Sequence, residues 1–391
     1  MINTLVITTL YPNKIQFRHG VFVETRIRQL NQTGKVKLTV IAPIAWFPFK
    51  SKYFPAYSKL LDVPKHEVRD GIDIYHPRYI VIPKIGMLLT PFFLALSTFC
   101  QIKSLQKQGY QFDLLDAHYY YPDGVAAAML AAVMKTPLSI TARGSDINLI
   151  SNLYLPGKMI VWASKIARYN LAVCESLKQK MLALGVTPAS AHVLRNGVDL
   201  ELFKPAVRDP IRQKWQVKNK LLISVGNLIE LKGHHLLIEA MTSLPDYQLF
   251  IVGGGDWEGR LKALTRQLAI EDRVRFIGEI YQQQLPELLN CADALLLASS
   301  REGWVNVLLE AMACGTPVIT TNVGAAAEIV QADVAGLICQ ERTAECFVDA
   351  VHQLFKHYPD RAQTRQYAEK FSWNETTNGL LKLFAQIKPA G

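Results

Sequence analysis

Ser299-Ser300-Arg301-Glu302-Gly303-Trp304-Val305-Asn306-Val307-Leu308-Leu309-Glu310-Ala311-Met312-Ala313-Cys314-Gly315-Thr316-Pro317-Val318-Ile319 is the stretch whose reading decides the fold. The apolar run Ala294–Ala298 precedes it and reads as a buried strand. A polar loop follows, then a helical pattern from about Val305 to Cys314. Gly315 suits a helix C-cap, and Pro317 opens the next strand. Strand, loop, helix and strand in that order predict a parallel unit. Free backbone N–H groups then gather at the carboxyl edge of the sheet, where phosphate groups bind. Glu302 falls in the loop, at the crevice, with Gly303, Val305 and Asn306 behind it. Glu310 falls about two turns into the helix among apolar neighbours. An unpaired buried carboxylate is costly, and the hydroxyls of a ribose would satisfy it. On spacing alone, a carboxylate at a helix N-terminus plus a structural buried Glu fits equally well.

The same grammar runs outward in both directions. Strand-like runs lie at Lys37–Ala42, Leu114–Ala117, Pro137–Thr141, Leu171–Cys174, Leu221–Val225, Gln248–Val252, Val274–Ile277 and Pro317–Thr320. Helical patterns such as Gly124–Met134, Ser176–Leu184 and Trp257–Leu268 separate many of them. Strands alternating with helices predict parallel sheets covered on both faces. The strands are too many for one Rossmann unit and suit two in tandem, each doubly wound. Asn196-Gly197-Val198-Asp199 is a turn signal at the junction. The expected division is 1–195, 196–372, and a helical tail 373–391 that packs back on the first domain.

Other strand ends carry chemistry of the same kind. Ser224-Val225-Gly226-Asn227 closes one strand, and Lys232-Gly233 stands before the next helix. A flexible ammonium beside a helix N-terminus is a good clamp for pyrophosphate, although an exposed loop lysine is more often merely solvated. Val252-Gly253-Gly254-Gly255-Asp256 is a glycine turn, with no acidic residue expected at the end of the following strand. In the first half, Asp116-Ala117-His118 ends a strand, which would aim His118 at a cleft. A lone histidine is more often structural. Thr141-Ala142-Arg143-Gly144 ends the next strand, and Arg18-His19-Gly20 lies in the loop after the first.

Composition narrows the classes. Residues 1–190 hold 22 Lys and Arg against 10 Asp and Glu, a charge of +12 within a chain of +10. A basic half suggests an anionic partner: a membrane surface, a phosphorylated acceptor or nucleic acid. No nucleic-acid recognition motif accompanies it. Six cysteines are scattered without a C-x-x-C pair, which fits reduced thiols and a cytoplasmic chain and argues against zinc. The opening residues read as a buried strand and not as a signal peptide. Ile85–Ile102 is apolar but marginal in length and broken by Pro91, so a buried or interfacial helix is expected over a span. Ala45–Tyr57 mixes Trp46, Phe47, Phe49, Tyr53, Phe54 and Tyr57 with Lys50 and Lys52, a composition suited to docking on an anionic membrane.

Together these residues resemble glycosyltransferase family 4, over nearly the whole chain. The most specific part is E-x7-E, Glu302 to Glu310, in E-G-W-V-N-V-L-L-E-A-M-A-C-G-T-P-V-I. G-N-L-x-x-x-K-G, N-G-V-D and Gly324-x-x-x-Glu328 follow the family's order. P-D-G-x-A-A and R-G-S-D-I-N resemble the branch that builds teichuronic acids and other cell-surface polysaccharides. The resemblance implies a GT-B fold and a retaining, metal-independent transfer of a sugar from a nucleotide sugar, UDP favoured over GDP, with no cofactor. The acceptor would be a glycan or lipid-linked. It implies Glu310 on the ribose, Glu302 and the amides after it on donor sugar and phosphates, Lys232 on the pyrophosphate, His118 on the sugar and Gly20 leaving room for phosphate. Where many members carry Arg, this chain has Asn227, so Lys232 carries more of the charge or Arg143 or Arg301 contributes. A catalytically silent sugar-nucleotide binder, or an epimerase or phosphorylase on the same fold, are the alternatives.

Overall fold

The computed structural model describes residues 1–46, 60–82 and 86–387. Residues 47–57 of the aromatic stretch therefore lie outside the described residues. The chain divides into two compact units, Met1–Asn196 with Asn374–Gly391, and Gly197–Trp373.

In the first unit the strands are β1 (Ile2–Ile7), β2 (Val36–Ile41), β3 (Ile44–Trp46), β4 (His66–Arg69), β5 (Ile72–Tyr75), β6 (Arg78–Ile80), β7 (Leu114–His118), β8 (Leu138–Ala142), β9 (Tyr169–Ala172) and β10 (Ala191–Val193). Among the described residues, eight of them form one sheet in the order β10-β9-β8-β7-β1-β2-β5-β4. All neighbours are parallel except β4, which pairs antiparallel with β5 through the Asp70-Gly71 turn. Strands β3 and β6 make a separate parallel pair. The central strands are buried on both faces, as near-continuous apolar runs require. The chain steps from β1 to β2 on one side and later adds β7 on the other, so order reverses between β1 and β7. Ligands of open parallel sheets bind outside the carboxyl ends at such a reversal.

The tail helix Trp373–Phe384 contributes Leu380, Leu383 and Phe384, with Ile387, to the core formed by Val6, Val23, Ile27, Val40 and Leu171. Phe384 is fully buried. Phe384→Ala is expected to cost about 3–5 kcal/mol by leaving a cavity. Urea denaturation checks this, as a lower midpoint at unchanged slope.

The second unit holds β11 (Lys220–Val225), β12 (Tyr247–Val252), β13 (Val274–Gly278), β14 (Ala294–Leu297), β15 (Val318–Thr321) and β16 (Gly336–Cys339). They form an all-parallel sheet ordered β13-β12-β11-β14-β15-β16. Here the reversal falls between β11 and β14. The two loops richest in candidate chemistry, 226–233 and 299–305, leave the carboxyl ends of those two strands. The helices His234–Ala240 and Asn306–Ala313 follow them.

Candidate functional site

In the second unit the loops after β11 and β14 are tied together. Ser300 N donates to Leu231 O at 2.8 Å. Arg342 donates from Nε to Ala298 O at 2.8 Å and from Nη2 to Glu230 O at 3.3 Å. Lys232 Nζ meets Glu302 Oε1 at 2.5 Å, and Ser299 Oγ donates to the same oxygen at 2.7 Å. Both charged side chains are only partly exposed, 21% for Lys232 and 14% for Glu302, so this pair feels a lower dielectric than a surface pair. Seventy residues separate the partners in sequence, and the reversal of strand order brings them together.

Glu310 projects from the helix Asn306–Ala313 and is half-buried. Gln282 Nε2 donates to its Oε1 at 3.3 Å, a long contact. Burial pushes the Glu310 carboxyl up to about 7, and the Gln282 contact only partly opposes that shift. A carboxylate this weakly satisfied gains from further hydrogen-bond donors. Such a ligand would lower the pKa again. Its affinity should then be full above pH 7 and fall about tenfold per unit as pH drops below 7. Titration calorimetry with UDP from pH 8 to pH 5.5 tests this: a flat profile would remove Glu310 from the nucleotide contact.

Gly253 follows β12 with φ 140°, and a Cβ there would lie 1.9 Å from Gly226 O. Only glycine lets the two strand-end turns approach so closely. The side chain at 226 would meet Lys232 carbons at 3.4 Å, so Gly226 leaves room for the lysine stem. Asn227 is exposed beside it, and Val305 is buried at the head of the Glu310 helix, preceded by half-buried Gly303 and followed by half-buried Asn306. Arg301 is half-buried and makes no ion pair among the described residues. The absence of an acid after the next strand is corrected: β13 extends to Gly278, and Glu279 follows at once. A Cβ on Gly254 would touch its Cγ at 2.8 Å.

In the first unit, Gly20 heads the helix Val21–Gln32 with φ 72°. A Cβ there would lie 2.2 Å from Leu10 O, so the loop after β1 folds onto it. His118, at the end of β7 across the reversal, is fully buried. Its carbonyl accepts from Thr8 Oγ1 at 3.2 Å. Arg143 Nη2 lies 2.5 Å from His118 Nδ1, and Arg143 Nη1 donates to Asn196 Oδ1 at 2.9 Å. The guanidinium also lies over the Phe22 ring at 5.3 Å. Burial lowers His118 to about 4; Asp116 opposes that shift and Arg143 adds to it. The ring is therefore neutral near pH 7. Arg143 can only donate, so Nδ1 accepts and Nε2 carries the proton. Nε2 sits 3.4 Å from Asp116 Oδ2, within ion-pair reach but without hydrogen-bond geometry. The imidazole is fully buried, with its nitrogens turned to Arg143 and Asp116.

Several contributors escaped the sequence reading. Ser299 and Asp116 stand inside the quoted motifs, three and two residues from the groups they contact. Gln282 lies in a polar run that reads as plain loop. Arg26 sits on the face of its helix otherwise formed by Val23, Ile27 and Leu30, and is 1% exposed with no hydrogen bond to its three guanidinium nitrogens among the described residues. A charged residue at a core position of an apolar stripe was the available signal.

The chain is similar to known proteins along most of its length. Residues 20–202 match the model of Glycosyltransferase Family 4, and residues 207–371 match that of Glycosyl transferases group 1. A Bacillus subtilis protein named as a teichuronic acid biosynthesis glycosyltransferase, TuaC, is 28% identical over 89% of this chain and 87% of its own length. An uncharacterized glycosyltransferase of Methanocaldococcus jannaschii is 26% identical over 81% and 86%. Among solved structures, sucrose-phosphate synthase from Thermosynechococcus elongatus superposes with a TM-score of 0.80 at 18% identity, over 99% of this chain and 98% of that one. Anabaena HepE in complex with UDP gives 0.74 at 18% identity, over 99% and 100%. Two consecutive family segments, one on each of two α/β units, make this chain a member of the family 4 and group 1 glycosyltransferases with the GT-B fold.

Proposed function

We propose that this glycosyltransferase moves a hexosyl unit from a UDP-sugar, with retention and without a metal ion, to a glycan or lipid-linked acceptor of a cell-surface polysaccharide. The observation that carries the reading is the pairing of a half-buried, under-satisfied Glu310 with the Lys232–Glu302 contact at one strand-order reversal. Glu310 would take the ribose hydroxyls. Lys232 would exchange Glu302 for the diphosphate, leaving Glu302 and the amides of Gly303, Val305 and Asn306 for the sugar and phosphates. Charge builds on the diphosphate as the glycosidic bond breaks, and an ammonium beside it stabilises that transition state. The names of relatives support the class: TuaC for the polysaccharide, and HepE, solved with UDP and with UDP-glucose, for the donor.

A thermal-shift screen against UDP-, GDP-, ADP- and dTDP-sugars tests the donor, since ligand at one hundred times its dissociation constant adds about 2.7 kcal/mol. Stabilisation by a GDP-sugar alone would replace UDP. Turnover abolished by EDTA would end the metal-independent reading, and an inverted anomer in the product's NMR spectrum would end the retaining one. UDP release without any acceptor, or none with any donor, would favour the alternatives of a different GT-B chemistry or a silent binder.

His118 and Arg143 belong to the first unit, whereas Glu310 and Lys232 belong to the second. His118→Ala is therefore expected to leave UDP affinity unchanged, within about twofold, and to lower sugar transfer at least about tenfold. His118→Gln, whose amide oxygen can accept from Arg143, should recover part of the loss if the ring acts by holding the guanidinium. Calorimetry and initial rates check both; a large loss of UDP binding would contradict the assignment.

A further inference from the structure

We infer that the outer face of a three-helix layer in the first unit docks on an anionic lipid bilayer. This rests on the reading of a lipid-linked acceptor and names the surface from which such an acceptor is taken. The helices Thr90–Lys107, Val125–Met134 and Tyr154–Ile166 pack side by side, with the alanine-rich middle one buried between its neighbours. The two flanking helices leave large apolar side chains in water. Phe92 is 51% exposed, Leu96 62%, Tyr154 74%, Leu155 48% and Trp162 40%. Phe92 and Leu96 stand four residues apart on one stripe, which Phe99 and Lys103 continue, with Lys103 Nζ 5.4 Å from the Phe99 ring centre. Leu155, Trp162 and Ile166 form the matching stripe on the other flank. Single exposed apolar residues are ordinary, but a run of them on two helices of one layer is a binding surface.

Charge selects the occupant. No Asp or Glu occurs between Asp73 and Asp113, and none between Asp123 and Asp146 or between Asp146 and Glu175. Asp123 and Asp146 are themselves fully buried. The exposed charges of the layer are Lys103, Lys107, Lys135, Lys158 and Lys165, all positive. Aromatic and aliphatic side chains interleaved with lysines, with no acid, match the headgroup level of an anionic membrane. Among the described residues no helix is long and apolar enough to cross one, so the contact is in the plane of the surface.

Topology sets where this face lies relative to the chemistry. The helix Thr90–Lys107 leads into β7 and Tyr154–Ile166 leads into β9, so both begin at the carboxyl edge of the sheet. Their leading ends carry the exposed Leu89, Phe92, Leu153 and Tyr154. His118 ends β7 and Arg143 follows β8 at that same edge. A lipid carrier held at the leading ends therefore presents its headgroup to the strand ends of this unit.

Co-sedimentation of the full chain with phosphatidylcholine vesicles, with and without phosphatidylglycerol, tests this. Binding is expected only with phosphatidylglycerol and should weaken with salt. Phe92→Glu with Leu96→Glu should lower the bound fraction about tenfold or more while leaving the UDP-induced thermal shift unchanged. Tyr154→Ser with Leu155→Ser is the second arm, should the first variant fail to fold. A parent chain that does not bind anionic vesicles, or variants that bind as well as the parent, overturns the docking face and leaves donor turnover untouched. A parent dimer that the same substitutions dissociate, without vesicle binding, overturns it in favour of a second copy. Vesicle binding without any donor turnover supports the face and overturns the transfer reading instead.

Discussion

Lys232→Ala is expected to lower turnover by about 2–4 kcal/mol in the barrier, roughly 30- to 800-fold, with a much smaller change in nucleotide affinity. The lysine stands before the helix His234–Ala240, at the reversal between β11 and β14, with its stem against Gly226. Its ammonium meets Glu302 at 2.5 Å. Binding a diphosphate exchanges one anionic partner for another, so the ground-state gain is small. The larger gain comes as negative charge grows on the leaving group, which is why the effect belongs in kcat. Asn227 supplies no second cation, and Arg143 is already engaged by His118 and Asn196. Steady-state kinetics with calorimetry on the same preparation separate the two terms. A loss confined to the dissociation constant would assign Lys232 to uniform binding. Lys232→Arg retains the charge but changes its shape, and should recover only part of the rate.

Glu310→Ala should show the reverse pattern: nucleotide affinity lower by about 1.5–3 kcal/mol, and kcat at saturation little changed, because ribose contacts are alike in ground and transition states. The stability effect has the opposite sign from most buried substitutions. The folded-state pKa is raised, to about 7 from an ordinary 4.5, so the ionised carboxylate costs stability that appears as pH rises from 4.5 through 7. Glu310→Gln should therefore leave the ligand-free protein as stable or more stable at pH 8, and nearly unchanged at pH 4.5. Thermal unfolding across that range checks it. A destabilised Gln variant at pH 8, with UDP binding intact, would make Glu310 a structural residue held by Gln282.

Much of the architecture is legible in the sequence. Leu221–Val225 and Gln248–Val252 were expected as strands and appear as Lys220–Val225 and Tyr247–Val252, because a strand buried on both faces must be apolar throughout. The helix expected from about Val305 to Cys314 runs Asn306–Ala313, bounded as its cap residue implied. The short strands β4 and β5 left little trace. His66–Arg69 is a half-exposed edge strand, and its pairing needs only the Asp70-Gly71 turn and a partner.

Sequence by itself determined the alternation of strands and helices, and with it two parallel sheets with polar, glycine-rich loops at their carboxyl edges. These are consequences of hydrophobic period and turn chemistry, which act over a few residues. Tertiary structure alone decided which loops meet. It set Lys232 against Glu302 across 70 positions, Gln282 on Glu310 across 28, and Arg143 on His118 across 25. It also buried the His118 ring between Arg143 and Asp116. The reason is that strand order is a non-local choice: β14 could pair with β13 or with β11 at equal local cost, and only packing of the whole sheet places it beside β11.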